Sequence, residues 1–149
     1  MASADKTYVD PSALRRLYVH DQRSRAFCAW IARLRGALPL TLHGKAEVVN
    51  SIELAVFRQD ITVAMAEGAL ADLASDLKDG RLAMADLPWR RALDRAAELS
   101  RIYTPSLRTR TLDVLHVASA LELGSRAFVT YDERQAALAK AVSLQVARP

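Results

Sequence analysis

The stretch that most constrains the fold covers residues 110–132, with the sequence RTLDVLHVASALELGSRAFVTYD. Residues 112–123 contain no Gly or Pro and are apolar on nearly every face, which predicts a helix buried on most sides. Gly124 is typical of a helix end, and residues 127–130 have the short, apolar, β-favouring character of an interior parallel strand. Asp132 lies just past that strand, and Asp113 lies in the first turn of the helix. Functional crevices in open α/β sheets form at the carboxyl ends of strands, so both acids are site candidates.

Two acids earlier in the chain occupy similar positions. Residues 6–9 predict a strand, after which Asp10 stands at the mouth of a helix opened by Pro11. Residues 45–57 predict a long helix with Glu47 near its start. Each acid alone also has a purely structural explanation, because Asp is a favoured helix cap and an acid suits the first turn of a helix. Their shared placement is what points to a site.

The order of the other elements predicts the fold class. The helix opened by Pro11 is predicted to continue over residues 14–18. Further helices are predicted over residues 26–34 (capped by Asp21), 61–78, 89–103 and 133–141, and further strands over 38–42, 82–85 and, at the sheet edge, 144–146. Pro105 is expected to end the helix over 89–103, leaving a basic loop over 106–110. Helices thus alternate with short strands without a linker. This predicts an α/β protein, a three-layer α/β/α sandwich with a central parallel sheet, as one domain over residues 1–149.

The composition narrows the classes of partner and compartment. The chain has 21 basic and 17 acidic residues, for a net charge of +4. If four of the acids share one site, 13 acids remain elsewhere. Together with the 21 basic residues they give the rest of the protein a charge of +8, which favours binding of a polyanion such as nucleic acid. No apolar run approaches the ~20 residues that cross a bilayer, and no signal-peptide core is present. The single Cys28 forms no internal disulfide. We therefore predict a cytoplasmic protein without membrane association.

The candidate site consists only of carboxylates. A Gly-rich phosphate loop, an HExxH motif and a Cys/His metal pattern are missing from the sequence, and His116, on a mostly apolar helix, is interpreted as a packing residue. Carboxylate oxygens suit hard cations such as Mg²⁺ or Mn²⁺. With phosphate bound, such ions activate a water and stabilise the leaving oxygen of an in-line displacement. The acids are therefore consistent with a nuclease.

Four segments carry a resemblance to a known family: YVDPSAL at 8–14, AEVVNS at 46–51, TLDVLHVASALELG at 111–124 and FVTYD at 128–132. In this order, and over nearly the whole chain, they resemble PIN-domain ribonucleases, particularly the VapC-type toxins of bacterial toxin–antitoxin pairs. The AEVVNS segment favours Glu47 over Glu53 as the second acid of the set.

The resemblance implies a PIN-like domain that cleaves RNA phosphodiester bonds with Mg²⁺ or Mn²⁺ and acts as a toxin. The catalytic acids that it implies are Asp10, Glu47, Asp113 and Asp132. The three aspartates would be the metal ligands, and Ser12 and Thr130 would support the site. It also implies a homodimer and a cognate antitoxin that covers the acids. The basic residues Arg108 and Arg110, beside the predicted pocket, are expected to bind RNA phosphates.

Two other functions are compatible with parts of the pattern. A non-catalytic receiver-like module also places acids at strand ends around Mg²⁺, but it needs a Lys after the last strand, and this chain ends with QVARP. A basic RNA-binding protein would use its acids only as helix caps. Dependence of any activity on metal would distinguish this RNA-binding protein from the nuclease.

Overall fold

The computed structural model describes residues 3–149. In chain order its elements are β1 (Thr7–Val9), α1 (Pro11–Leu14), α2 (Ser24–Ile31), β2 (Leu38–Leu40), α3 (Leu42–Phe57), α4 (Val63–Lys78), β3 (Leu82–Met84), α5 (Trp89–Leu107), α6 (Thr111–Glu122), β4 (Ala127–Val129), α7 (Glu133–Ala141) and β5 (Gln145–Ala147). Single 3-10 turns precede β1 and extend α1.

All strand pairs are parallel. Strand β4 lies between β1 and β5, and β2 pairs with β3. These are two hydrogen-bonded sheets. Strand β2 packs beside β1 without a hydrogen-bonded ladder between them, which gives the spatial order β3-β2-β1-β4-β5. Because the strands are parallel, the loops that follow β1, β2 and β4 all leave from one edge of the sheet.

The alternation of side chains along the strands separates two helical layers. Tyr8 and Phe128 pack into a core with α5, α6 and α7, whereas Val9 and Val129 pack into a core with α1, α2, α3 and α4. Consecutive residues of a strand point to opposite faces, so each strand contributes to both cores. The predicted three-layer sandwich with a central parallel sheet is confirmed.

Helix α6 is the most buried helix of the second layer. Its residues from Val114 to Ala120 are all buried, as their apolar sequence predicts. Gly124 follows with φ +68°, a left-handed conformation that ends the helix and returns the chain to β4. The helix and strand predicted over 112–123 and 127–130 therefore form at those positions to within one residue at either end.

Helix α3 starts three residues earlier than predicted, at Leu42 rather than Lys45. The Thr41 hydroxyl caps it by accepting the N–H of Gly44 at 3.0 Å. A Cβ at position 44 would lie 2.9 Å from that hydroxyl oxygen, so the glycine permits the close approach. Glu47 consequently lies in the second turn of the helix, not in the first.

Other predicted boundaries are also wrong: the first helix is α-helical only to Leu14, not to residue 18, and α2 ends at Ile31, not at residue 34. Helix α5 passes through Pro105 and ends at Leu107, where Arg108 adopts a left-handed conformation with φ 55°. A proline this close to the end removes little, because only one backbone bond of the last turn is lost. Helix α2 begins after Arg23, and Asp21 binds the N–H of Arg23 from outside the helix instead of capping it.

No helix within residues 3–149 combines the length and the apolar character needed to cross a bilayer.

Candidate active site

Asp10 is held in one orientation at the end of β1. Its backbone N–H bonds the carbonyl of Val129 at 3.0 Å, and its side chain caps α1. One carboxylate oxygen, Oδ2, accepts the N–H and the hydroxyl of Ser12, and the other, Oδ1, accepts the side-chain amide of Gln135 at 2.9 Å. The residue is only 6% exposed. Three donors to the carboxylate and one backbone hydrogen bond thus fix this nearly buried residue at the sheet edge.

Asp132 and Thr130 form the adjoining part of the site after β4. Asp132 caps α7 by accepting the N–H groups of Arg134 and Gln135 at 2.9 and 3.0 Å. The Thr130 hydroxyl accepts the N–H of Asp132 at 3.1 Å and donates to Gln135 Oε1 at 2.6 Å. Thr130 is fully buried, so it lies behind the acids and supports them.

Gln135 connects three of the segments that carry the acids. Its amide nitrogen donates to Asp10 and, at 3.3 Å, to the carbonyl of Asp113, while its oxygen accepts from Thr130. The residue is 1% exposed. Gln135 is not among the site residues predicted from the sequence. The spacing from Asp132 to Gln135 matches the reciprocal capping pattern at helix starts, which is the signal that could have identified it.

Asp113 is paired with a basic residue at the start of α6. Its Oδ2 accepts the backbone N–H of Arg110 at 3.2 Å and lies 3.3 Å from the Arg110 Nε. The same guanidinium reaches to 4.0 Å from Asp132 Oδ2. Arg110 is 70% exposed at its side chain, so it holds the two acids from the solvent side.

Glu47 enters the site from α3 and bonds a histidine. Its Oε2 is hydrogen-bonded to His116 Nε2, and the opposite ring nitrogen of His116 bonds the Tyr8 hydroxyl at 2.7 Å. Burial raises the pKa of the Tyr8 phenol well above its usual value. His43 stacks on His116 with 4.7 Å between ring centroids. Burial, reinforced by the adjacent His116, lowers the pKa of His43 to about 4.

The four predicted acids line one open cleft of about 890 Å³ at the carboxyl edge of the sheet. Ser12, Arg110 and His116 also line it, and Leu54 and Leu112 contribute apolar surface. Arg108 is exposed beyond the end of α5 and does not contribute to the cleft wall. The structure thus brings together all the predicted site residues except Arg108, with Thr130 lying behind the acids.

The donor set of the cleft fits a hard divalent cation. Across residues 3–149, no three His, Cys, Asp or Glu side chains are arranged to hold one ion among them. However, Mg²⁺ is usually bound by one or two carboxylates with several retained waters and substrate phosphates, without a complete protein cage. Carboxylate oxygens that face an open cleft suit this mode of binding.

A second cavity, of about 350 Å³, lies beside Tyr18 and Asp76. The Tyr18 hydroxyl donates to Asp76 at 2.7 Å, and Arg81 forms an ion pair with the same carboxylate at 2.5 Å. Asp76 is therefore satisfied within the fold.

Comparison with known proteins identifies one family. The PIN domain family model matches residues 7–141, which is most of the chain and includes all four acids. PIN domains are generally metal-dependent nucleases. A search of curated proteins finds no significant match.

Proposed function

The chain belongs to the PIN-domain family, and on that premise we propose that it is an Mg²⁺- or Mn²⁺-dependent endoribonuclease, the toxin of a toxin–antitoxin pair. The observation that carries the proposal is the convergence of four acids from four segments on one cleft, in a chain whose net charge is +4. Acids gathered in this way suit a cation, and the basic remainder suits a polyanion such as RNA.

The three aspartates, Asp10, Asp113 and Asp132, are the residues proposed to hold the metal, one or two of them directly and the others through waters that the ion retains. When bound, the ion would supply an activated water and stabilise the leaving oxygen of the phosphodiester. The protein supports this by fixing the carboxylates in advance: Ser12 and Gln135 hold Asp10, and Thr130 with the start of α7 holds Asp132. Such preorganisation avoids reorganisation during the reaction.

Glu47 and Arg110 have different proposed roles. The Oε2 of Glu47 is engaged by His116, which leaves Oε1 available to accept a proton from a water in the cleft. Arg110 is exposed at the cleft mouth, where its planar guanidinium is suited to a phosphate. Arg108, two positions before it in the chain but outside the cleft, is proposed to contact phosphates farther along the RNA.

Two partners are proposed, an antitoxin and a second copy of the chain. The proposal is based on the resemblance to VapC-type toxins and on exposed apolar residues of the protein. Leu54 and Leu112 line the cleft, and Phe57, on the same helix as Leu54, is 83% exposed. Apolar side chains around an acidic centre suit an antitoxin that covers the cleft. Trp89 and Leu93, which are both partly exposed and lie one turn apart on α5, suit a homodimer contact. A cytoplasmic location is part of the same proposal.

The test of the proposed function is metal-dependent cleavage of RNA. Purified protein is expected to cut single-stranded RNA with Mg²⁺ or Mn²⁺ and to stop in excess chelator. Asp113→Asn is expected to lower the rate by at least about 100-fold, because replacing even a supporting residue of a metal site costs 10–100-fold. Its melting temperature without metal should hold, since Asn still accepts the N–H of Arg110.

The matched control is Asp94→Asn, which changes an exposed aspartate of α5 outside the cleft. It should leave the rate unchanged. Undiminished cleavage in chelator would overturn metal dependence, and cleavage of DNA in preference to RNA would overturn the proposed substrate.

A further inference from the structure

We propose that His116 is a positioning residue for Glu47. A chain of hydrogen bonds runs from Tyr8 through His116 to the Glu47 carboxylate and holds that carboxylate in the cleft. The inference deepens the proposed nuclease function and rests on it. A role for His116 in core packing is the alternative.

The chain of hydrogen bonds joins the three elements that carry three of the acids. Tyr8 lies on β1 two residues before Asp10, and His116 lies on α6 one turn after Asp113. His116 bonds Tyr8 through Nδ1 at 2.7 Å and Glu47 of α3 through Nε2. Both ring nitrogens are therefore engaged, and the ring, 1% exposed, is fixed in its plane.

The direction of the hydrogen bonds follows from the carboxylate at one end of the chain. A carboxylate only accepts, so Nε2 of His116 carries the proton in the bond to Glu47. In the neutral imidazole Nδ1 is then an acceptor, and the Tyr8 hydroxyl donates to it. A donor on one ring nitrogen selects the tautomer at the other, as it does for histidines that hold metals.

The rings are also confined by their aromatic neighbours. Tyr8 stacks on Phe128 with 5.5 Å between ring centroids and 2° between planes, and His43 stacks on His116 at 4.7 Å. Trp89 contacts His43 edge-on at 5.0 Å. The position of the Nε2 proton is thus set by a rigid cluster rather than by a mobile side chain.

Glu47 needs such an anchor. Its side chain is 32% exposed and has three rotatable bonds, so without a partner it would occupy several rotamers. Among residues 3–149 its only hydrogen-bonded partner is His116, through Oε2. One oxygen is therefore fixed, and the other is left to act in the cleft.

The test compares substitutions that keep or remove the donor to Glu47. His116→Gln places an amide N–H near the position of Nε2, whereas His116→Asn ends near Nδ1 and does not reach Glu47. With saturating Mg²⁺ and RNA, we expect kcat to fall roughly 10–100-fold for His116→Asn and by less than about 5-fold for His116→Gln, with little change in KM. His20→Asn, at an exposed histidine outside the cleft, is the matched control and should leave kcat unchanged.

A double substitution separates positioning from packing. If His116 acts through Glu47, Glu47→Gln with His116→Asn is expected to be no slower than Glu47→Gln alone. Losses of kcat that multiply in the double variant would overturn the inference. Equal losses in His116→Asn and His116→Gln that follow the melting temperature would also overturn it.

Tyr8→Phe keeps the ring and removes only the donor, so it provides the test if His116→Asn does not fold. It is expected to lower kcat by roughly 3–10-fold, a smaller loss because the bond to Glu47 remains, and an unchanged kcat would contradict the chain of hydrogen bonds.

A spectroscopic measurement keeps this inference distinct from the proposed function. Imidazole nitrogen shifts of His116 are expected to show a proton on Nε2 in the wild type and a changed tautomer balance in Tyr8→Phe. An inactive wild type with the expected tautomer would reject the nuclease function and, with it, the catalytic consequence. A proton on Nδ1 in an active wild type would reject the positioning role alone.

Discussion

At the scale of single residues, His43 shows how burial next to the cleft alters a titratable group. Its ring lies between His116 and Trp89, and its Nδ1 is buried without a hydrogen-bond partner among residues 3–149. Burial and the nearby His116 lower its pKa to about 4, while Glu47 opposes the shift. His43 is therefore neutral in the folded protein at pH values where it is protonated in the unfolded chain.

This shift predicts a loss of stability on acidification. Between pH 6.5 and 4 the unfolded chain binds a proton at His43 that the folded chain does not, so the free energy of unfolding falls as the pH falls. Because solvent reaches part of the ring, we expect an effect of roughly 1 kcal/mol. His43→Phe keeps the aromatic contacts and should show a flatter dependence of melting temperature on pH in this window than the wild type. Identical dependences would show that His43 titrates normally in the fold.

The acids that line the cleft could be predicted one by one, but their surroundings could not. An aspartate directly after a predicted parallel strand, such as Asp10 or Asp132, can be placed at the sheet edge from sequence alone. The link from Gln135 to Asp10 spans 125 positions of the chain and depends on how α7 packs. The same holds for the bond between His116 and Glu47, which the apolar pattern of α6 conceals.

At the scale of elements, local signals predicted the type of each element better than its ends. Helix α7 runs over Glu133–Ala141 as predicted, because the Asp132 side chain caps its start. The start of α3 was displaced because Thr41 and Gly44 form a cap that depends on close packing between them. The end of α5 was displaced because Pro105 affects only the last turn. Both errors concern local features at a helix end, a hydroxyl cap and a proline in the last turn, and residue types place such ends only to within a turn.

At the start of α6, the positive charge of Arg110 is expected to oppose metal binding at the acids and to favour RNA binding. The Arg110 guanidinium lies 3.3 Å from Asp113 and 4.0 Å from Asp132, on the side open to solvent. We predict that Arg110→Ala raises Mn²⁺ affinity roughly 2- to 5-fold, because a competing exposed cation is removed. The same change should weaken RNA binding and lower the slope of log K against log salt by about 1. Calorimetric Mn²⁺ titration, and RNA binding measured at several salt concentrations in chelator, would test both parts.

Arg108→Ala is the matched control for this prediction. It removes an arginine two positions away that does not line the cleft, so Mn²⁺ affinity should stay at the wild-type value while RNA binding weakens. If the two variants changed Mn²⁺ affinity equally, the effect of Arg110 would be one of general surface charge. If neither changed the salt slope, the RNA would follow another path.

At the scale of the whole molecule, the parallel sheet brings distant acids together. Val9 and Val129 are register partners on adjacent strands, so the residues that follow them emerge side by side. Helices α3 and α6, on opposite faces of the sheet, then contribute Glu47 and Asp113. The order of elements predicts this gathering only in outline, since strand order and helix packing depend on contacts across the chain. The segments resembling PIN domains supplied the pairing of Glu47 with the aspartates.

The cleft has the composition of a surface that a protein partner could cover. Acids at its centre suit an inserted Arg or Lys, and Arg110 shows that a guanidinium fits against Asp113. Leu54 and Leu112, 36% and 48% exposed, offer apolar contacts beside the acids. A partner that inserts a cation here would displace a metal ion from the same oxygens. Metal and partner should therefore bind competitively, which is a property of the assembled cleft and not of any one residue.

We accordingly predict that Mg²⁺ weakens binding of the proposed antitoxin. In calorimetric titrations of the purified pair, the dissociation constant should rise as Mg²⁺ is raised through the millimolar range, and Asp113→Asn should reduce that dependence. Leu54→Ser and Leu112→Ser should each weaken binding of the partner by about 1 kcal/mol, or roughly 5-fold in the dissociation constant, without slowing cleavage of a short RNA. Met84→Ser, at an exposed apolar residue of β3 outside the cleft, is the control and should change neither. A dissociation constant independent of Mg²⁺ would show that the partner leaves the acids uncovered, and inhibition would then require a contact that blocks RNA rather than metal.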